Sequence, residues 1–417
     1  MSREGMPTKA QAITFAAAWA GWVMDAFDFT AFLLVMPEIE KTFGVKHTAS
    51  AGAIALTLLM RLVGGYFAGK AADRWGRKLP LLVSVVWFAV CDGAIALAPS
   101  FTAILVLRTL FGLGMGAEWT SGTTLAMENW PKKTRGIASG VLQGSWAVGY
   151  LLAAAVSAFV VPRFGWRALF VVTALPALLV LPLRSWVPES EEWKKVAKAR
   201  PEPLRVLFAK HEGLLGRAVW GALAMSVGFG AYYALTGLYP TILKVELGLG
   251  AHKTFVLVAL FNVGMMLGSI VSGVVAAKRS VALAIVVPAG LSVLVMPLYV
   301  GHPPSHLGVG AFLGGAFGAG FCGVTPMLLT TMFPAEARAR LVGITNHVGA
   351  FVDGFLPHAT DTHAERPRTS LGFAVMIVTS ILELCLVVLV LATLGRTRAP
   401  SPEDAHADLE AEPTPGE

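Results

Sequence analysis

The sequence predicts an all-α membrane protein of twelve spans in two repeated sets of six, with both termini in the cytoplasm. Three observations predict it: the composition, the spacing of the apolar runs, and a constant offset between features of the two sets. Of 417 residues, 55% are hydrophobic and 14% charged, against about 25% charged in soluble domains. Mean hydropathy is +0.66. So few charges cannot cover a surface facing water, and most of it must face lipid.

Crossing a bilayer takes about 20 apolar residues. Runs of that kind recur at 12–36, 49–69, 79–98, 102–129, 137–161 and 166–187, then at 216–243, 254–277, 280–300, 306–332, 341–360 and 372–394. The first run is too long for a signal-peptide core and carries Asp25 and Asp28, so it reads as a retained helix. The polar interval makes the division: an N-terminal half (1–187), a cytoplasmic linker (188–215) rich in Lys, Arg, Glu and Pro, and a C-terminal half (216–398). An acidic, proline-containing tail (399–417) has almost nothing apolar and is expected to be disordered.

Orientation follows from the basic residues. Most of the 33 Lys and Arg fall on one face, among them Lys70, Arg74, Arg77, Lys78, Lys132, Lys133, the linker set and Arg184 at the end of the sixth run. The positive-inside rule makes that face cytoplasmic. The net charge of +7 therefore reflects membrane topology and not a nucleic-acid partner. Cys91, Cys322 and Cys385 each sit inside an apolar run, which argues against a disulfide framework.

The two halves repeat. Pro37 matches Pro240, which are expected to end the first and seventh spans. Gly64 and Gly69 match Gly268 and Gly273, Trp130-Pro131 with Arg135 and Gly140 matches Phe333-Pro334 with Arg338 and Gly343, and Gln143 matches Asn346. The offset is 203 or 204 residues throughout.

The loop after span two reads Gly69-Lys70-Ala71-Ala72-Asp73-Arg74-Trp75-Gly76-Arg77-Lys78. It resembles the G-x-x-x-D-R-x-G-R-K signature of the major facilitator superfamily. The resemblance implies a gating latch built from Gly69, Asp73, Arg74, Gly76 and Arg77. The matching stretch, Gly273 to Arg279, has lost the aspartate, so a latch there must be weaker or differently built. Span one contains Asp25-Ala26-Phe27-Asp28, and span four runs from Arg108 through Gly112, Gly114 and Gly116 to Glu118. With Glu128-Asn129-Trp130-Pro131, Arg135-Gly136, Gly149-Tyr150 and Pro188-Glu189-Ser190, these are similar to the proton-coupled organic-acid symporters, nearest the sialate and lactate branch. Span seven departs from the lactate pattern: Tyr233 stands at the position of a His, and Thr236-Gly237 at that of a Gln-Asp pair.

An ionisable group inside a span costs several kcal/mol unless paired or hydrated, roughly 2.5–3.5 kcal/mol on insertion scales, so each is a functional candidate. The first half places Asp25, Asp28, Asp92 and Glu118 against Arg61 and Arg108, leaving two acids without a cation. Asp25, Asp28, Glu118 and Asp353 are the expected proton-coupling groups, though Glu118 equally suits a structural hydrogen bond. Arg108 is the expected partner of a substrate carboxylate, with Gln143, Trp146, Tyr232, Tyr233, Asn262 and Asn346 lining the cavity. Arg61 and His347 are auxiliary. Asp92, on a span expected to be peripheral, reads as inert, and Glu383 as structural or assembly-related. No G-x-S-x-G, H-E-x-x-H or Walker sequence occurs, and no enzyme, metal or cofactor is expected. The resemblance implies a monomer in the cell membrane, in bacteria the inner membrane, moving a small organic acid with protons. A monocarboxylate such as lactate or pyruvate is expected first, a sialic or aromatic acid second, and uncoupled exchange or efflux is the alternative mode.

Overall fold

The computed structural model describes residues 6–197, 202–353 and 370–393, which are helical and contain no strand. Helix α1, Lys9–Phe43, opens on a Thr8–Gln11 capping box and closes on Gly44 at φ 64°. It continues past Pro37, which the sequence reading had made its end. Helix α2, His47–Trp75, is stopped by Gly76 at φ 99°, a conformation that favours glycine. Helix α3 (Lys78–Ala96) and α4 (Phe101–Asn129) follow. Helix α5, Arg135–Ser185, contains the expected fifth and sixth spans, turning between them at Gly165, φ 77° and ψ 172°.

Two short helices, α6 (Glu191–Val196) and α7 (Leu204–Lys210), lie in the polar interval. The C-terminal half begins with α8 (Leu214–Gly237), which continues through α9 (Tyr239–Thr241) and a π turn at Ile242–Glu246. Helices α10 (Ala251–Lys278) and α11 (Val281–Tyr299) come next. The expected span at 306–332 is not one α-helix. It is α12 (Leu307–Leu313), a π stretch Gly314–Ala319, a 3-10 stretch Gly320–Val324 and α13 (Thr325–Met332). Five glycines fall in its irregular middle, where helix propensity is lowest, and Gly315 packs against the Phe261 carbonyl of α10. Helices α14 (Arg338–Asp353) and α15 (Leu371–Ala392) complete the set. Ten helices among the described residues are long and apolar enough to cross a membrane. The expected second part of span eleven, the side chain of Asp353 and the tail lie outside the described residues.

Glycine seams hold the helices together. Gly112 and Gly116 of α4 lie against the Thr57 and Arg61 carbonyls of α2. The halves meet along two such seams, α2 with α14 and α5 with α10. Small residues suit this role where lipid competes for apolar surface and close backbone packing must supply the attraction. Phe67, Val90, Phe159, Leu294 and Val388 point outward, more than half exposed, as side chains facing lipid would be.

Candidate functional site

The buried charges of the N-terminal half form a chain along one wall. Nearest the Ser100 end of α4, Arg108 is fully buried, its guanidinium centre 4.2 Å from the Phe32 ring and 4.3 Å from the Phe111 ring. None of its three guanidinium nitrogens has a hydrogen-bond partner. Asp28 and Asp92 face it and each other. Asp92 takes one bond, from the Thr173 hydroxyl at 3.3 Å. Asp92, read as inert on a peripheral span, is fully buried on the inner face of α3, which packs against α4 and α5.

One turn along α1, Asp25 has Arg61 of α2 as its strongest electrostatic partner. The Arg61 guanidinium lies 5.9 Å from the Trp146 ring of α5. Trp146 and Tyr232 pack against the same apolar cluster, which joins the two halves, and Tyr232 stacks edge-on with Tyr233 at 5.4 Å. Arg61 thus stands at the junction of the halves, and Arg108 deeper within one of them. Gln143 is half-buried with an unpartnered carbonyl oxygen.

Glu118 has a partner that the sequence reading placed in the linker. Arg184, near the end of α5, is fully buried and pairs with both Glu118 oxygens, one of them at 2.7 Å. Ser84 donates to the same carboxylate at 2.7 Å. Gly21 makes the room, since a Cβ there would overlap both charged groups. Glu118 is bonded through both oxygens, which argues against its expected proton-coupling role. With Arg184 added to Arg61 and Arg108, Asp25, Asp28, Asp92 and Glu118 are four acids against three cations, and the two unpaired acids expected from the sequence reduce to one.

Asn262 spends its amide on its own helix, donating to Val258 at 2.9 Å, and is 3% exposed. His347 of α14 is fully buried. It fits between Gly65 and Gly116 of the other half, its Nε2 3.3 Å from the Gly116 carbonyl and 3.3 Å from the Thr120 hydroxyl, with Trp119 edge-on at 5.7 Å. Asn346 beside it keeps an unpartnered carbonyl oxygen.

The motif at Gly69–Lys78 closes the basic face. Asp73 accepts from the Ala339 and Arg340 amides at 3.2 and 3.3 Å, and from Arg340 Nε at 2.8 Å. The N-terminus of α14 presents free amides to this anion. Gly69 lets the helices meet, since a Cβ there would lie 2.7 Å from the Arg340 Cα. Arg77 binds Asp73 at 3.4 Å and Glu128 at 3.1 Å, and donates across the halves to the Ala335 carbonyl at 2.9 Å. Arg338 bonds Glu128 at 2.9 Å and also Glu192. Burial pushes the Glu192 carboxyl up, but Arg338 and then Arg135 outweigh it and hold it below its ordinary range. Gly76 leaves room for Glu189, which accepts from the Arg77 and Lys78 amides. Arg74 stands apart from these contacts, exposed and stacked on Trp75 at 5.3 Å.

Comparison with known proteins agrees with this architecture. Residues 18–357 match the model of the Major Facilitator Superfamily. The sialic acid transporter NanX of Escherichia coli (strain K12) is 29% identical over 337 residues, 80% of this chain and 82% of that protein. The cis,cis-muconate transport protein of Acinetobacter baylyi is 28% identical over 375 residues, 87% of this chain and 90% of that protein. In structure, the chain resembles the proton:xylose symporter XylE bound to 6-bromo-6-deoxy-D-glucose, with a TM-score of 0.81 at 17% identity, covering 96% of this chain and 99% of that one.

Proposed function

The chain belongs to the Major Facilitator Superfamily and is a multi-pass membrane transporter, not an enzyme; within that family we propose that it takes up a small organic acid by proton symport. In this reading the chain crosses the bilayer twelve times, with α5 counted twice, α12 and α13 as one crossing and both termini cytoplasmic. The acid binds where the halves meet and is released as they rock.

One observation carries the reading. Arg61 stands between Asp25 and Trp146 at the junction of the halves, in a cluster holding one more acid than cations. When Asp25 takes a proton, Arg61 is freed for the substrate carboxylate, and Asp28, Asp92 and Arg108 balance the charge behind it. Loss of the proton on the cytoplasmic side returns Arg61 to Asp25 and expels the acid. Trp146, Tyr232 and Tyr233 suit a flat or bulky acid better than lactate. Relatives named for sialic acid and cis,cis-muconate support the larger class.

The test is transport by the full chain in proteoliposomes, with benzoate, nicotinate, cis,cis-muconate, sialate and lactate as labelled probes. Arg61→Ala should raise KM about tenfold or more, the worth of roughly 1.5–3 kcal/mol for a hydrogen bond to a charged group, and Arg61→Lys should restore little because it lacks the planar fork. Asp25→Asn should still exchange substrate in counterflow but lose accumulation driven by a pH gradient. Normal uptake by Arg61→Ala, or concentrative uptake by Asp25→Asn, would sink the assignment.

A further inference from the structure

The C-terminal half holds a buried acid that the proposed transport site does not use. Glu383 of α15 is fully buried, and neither carboxyl oxygen has a hydrogen-bond partner. No ion pair reaches it among the described residues. Ser292 of α11, fully buried, faces it within hydrogen-bonding reach and has no other partner. Thr379, one turn earlier on the same face of α15, is likewise buried and unpartnered. The carboxyl thus faces the Ser292 hydroxyl, with a second buried, unpartnered hydroxyl one turn away on α15.

The space between them is kept by a glycine. At Gly318, in the π stretch of the broken helix, a Cβ would lie 2.8 Å from Ser292 Oγ, 3.3 Å from Glu383 Oε1 and 2.6 Å from Leu235 of α8. The titratable neighbour is Cys322, on the 3-10 stretch that follows, and Cys322 in turn neighbours Tyr232 at the junction of the halves. From α8 the pocket receives Leu235 and no charge.

A carboxylate without a cation inside a membrane is costly, whereas a carboxylic acid can donate to Ser292 and stay dry. Ionising it requires water. The wall best able to admit water is the 314–324 stretch, where the backbone leaves the α-helical pattern, as functional hinges often do. We propose that Glu383 is a proton-binding site of the C-terminal half, taking and releasing its proton as the broken helix at 314–324 closes and opens over it. The site is distinct from the Asp25 cluster and stands whether or not that cluster carries the coupling proton.

The experiment is infrared difference spectroscopy of the full chain in liposomes, stepped between about pH 5 and about pH 9, a range that covers displaced carboxyl titrations. The carbonyl stretch of a protonated carboxyl should appear on acidification, vanish in Glu383→Gln and persist in Asp25→Asn and Asp28→Asn. Ser292→Ala should shift its frequency by removing the acceptor while leaving it titrating, which carries the test should Glu383→Gln not fold. Difference spectra identical in wild type and Glu383→Gln, no frequency shift in Ser292→Ala, or a titration that moves with sodium concentration would each overturn the proposal.

Discussion

The two seams that join the halves occupy matching places in the repeat and are built from different forces. Along α2 and α14 the closure is ionic: Asp73 on the α14 amides and Arg340, with Arg77, Glu128, Arg338 and Glu192 around it. Along α5 and α10 it is backbone against backbone, with Gly136 on Gly273 and Gly140 on Ser269. At the repeat's offset, Asp73 corresponds to Ala277 and Arg340 to Ile137. Both members of the pair are absent from the second seam. That fits the energetics, because leaving one buried charge without its partner costs about 3–5 kcal/mol. One seam is held by paired charges, the other by contact between backbones.

The largest expected effect tests the ionic seam. Asp73→Asn strips Arg340 and Arg77 of a buried anion, a cost of about 3–5 kcal/mol to the closed state. A cysteine at Thr124, fully buried on α4, should in a background without the native cysteines become reactive to an impermeant maleimide from the cytoplasm, and transport should fail. Unchanged protection would mean that the latch does not hold the seam shut. Next comes Gly136→Val on the steric seam, where even a Cβ would lie 2.6 Å from the Gly273 carbonyl oxygen and 2.9 Å from the Ala277 nitrogen. Overpacking of this kind costs about 1–3 kcal/mol. The same reporter should open, and if it stays closed the glycine contact is dispensable. The smallest effect is one of pH. Glu192 is held below its ordinary range, so its contribution is complete above about pH 4.3 and disappears as pH falls through the folded value. Wild-type melting temperature should therefore drop more on acidification than that of Glu192→Gln, by the equivalent of less than about 1 kcal/mol for a partly exposed pair. Parallel curves would remove Glu192 from the latch.

Much of this was legible in the sequence. The apolar runs anticipate the helices, and the Gly69–Lys78 motif anticipates an aspartate paired with basic residues and a helix end, because a short loop between two spans leaves a buried acid few places to go. Other features depend on packing that one chain segment does not reveal. Arg184 looked like a loop cation because it lies near the end of an apolar run; the side chain turns inward to Glu118, and Gly21 in another helix provides the room. Asp92 is buried beside Arg108 although its helix exposes Val83, Val86 and Val90, because the rank of a span does not reveal which residues lie on its inner face. The break at 314–324 had a signal, five glycines within ten residues, which a count of apolar runs does not register.

His347 has a further consequence. Under the proposed proton symport the carrier must also be an insulator, since a thread of water through its closed face would dissipate the gradient without moving cargo. The imidazole fills the slot between Gly65 and Gly116 and engages the Gly116 carbonyl, while Trp119 covers its edge. Enlarging that slot with His347→Ala would leave every charge of the latch in place and would be expected to make the membrane leak.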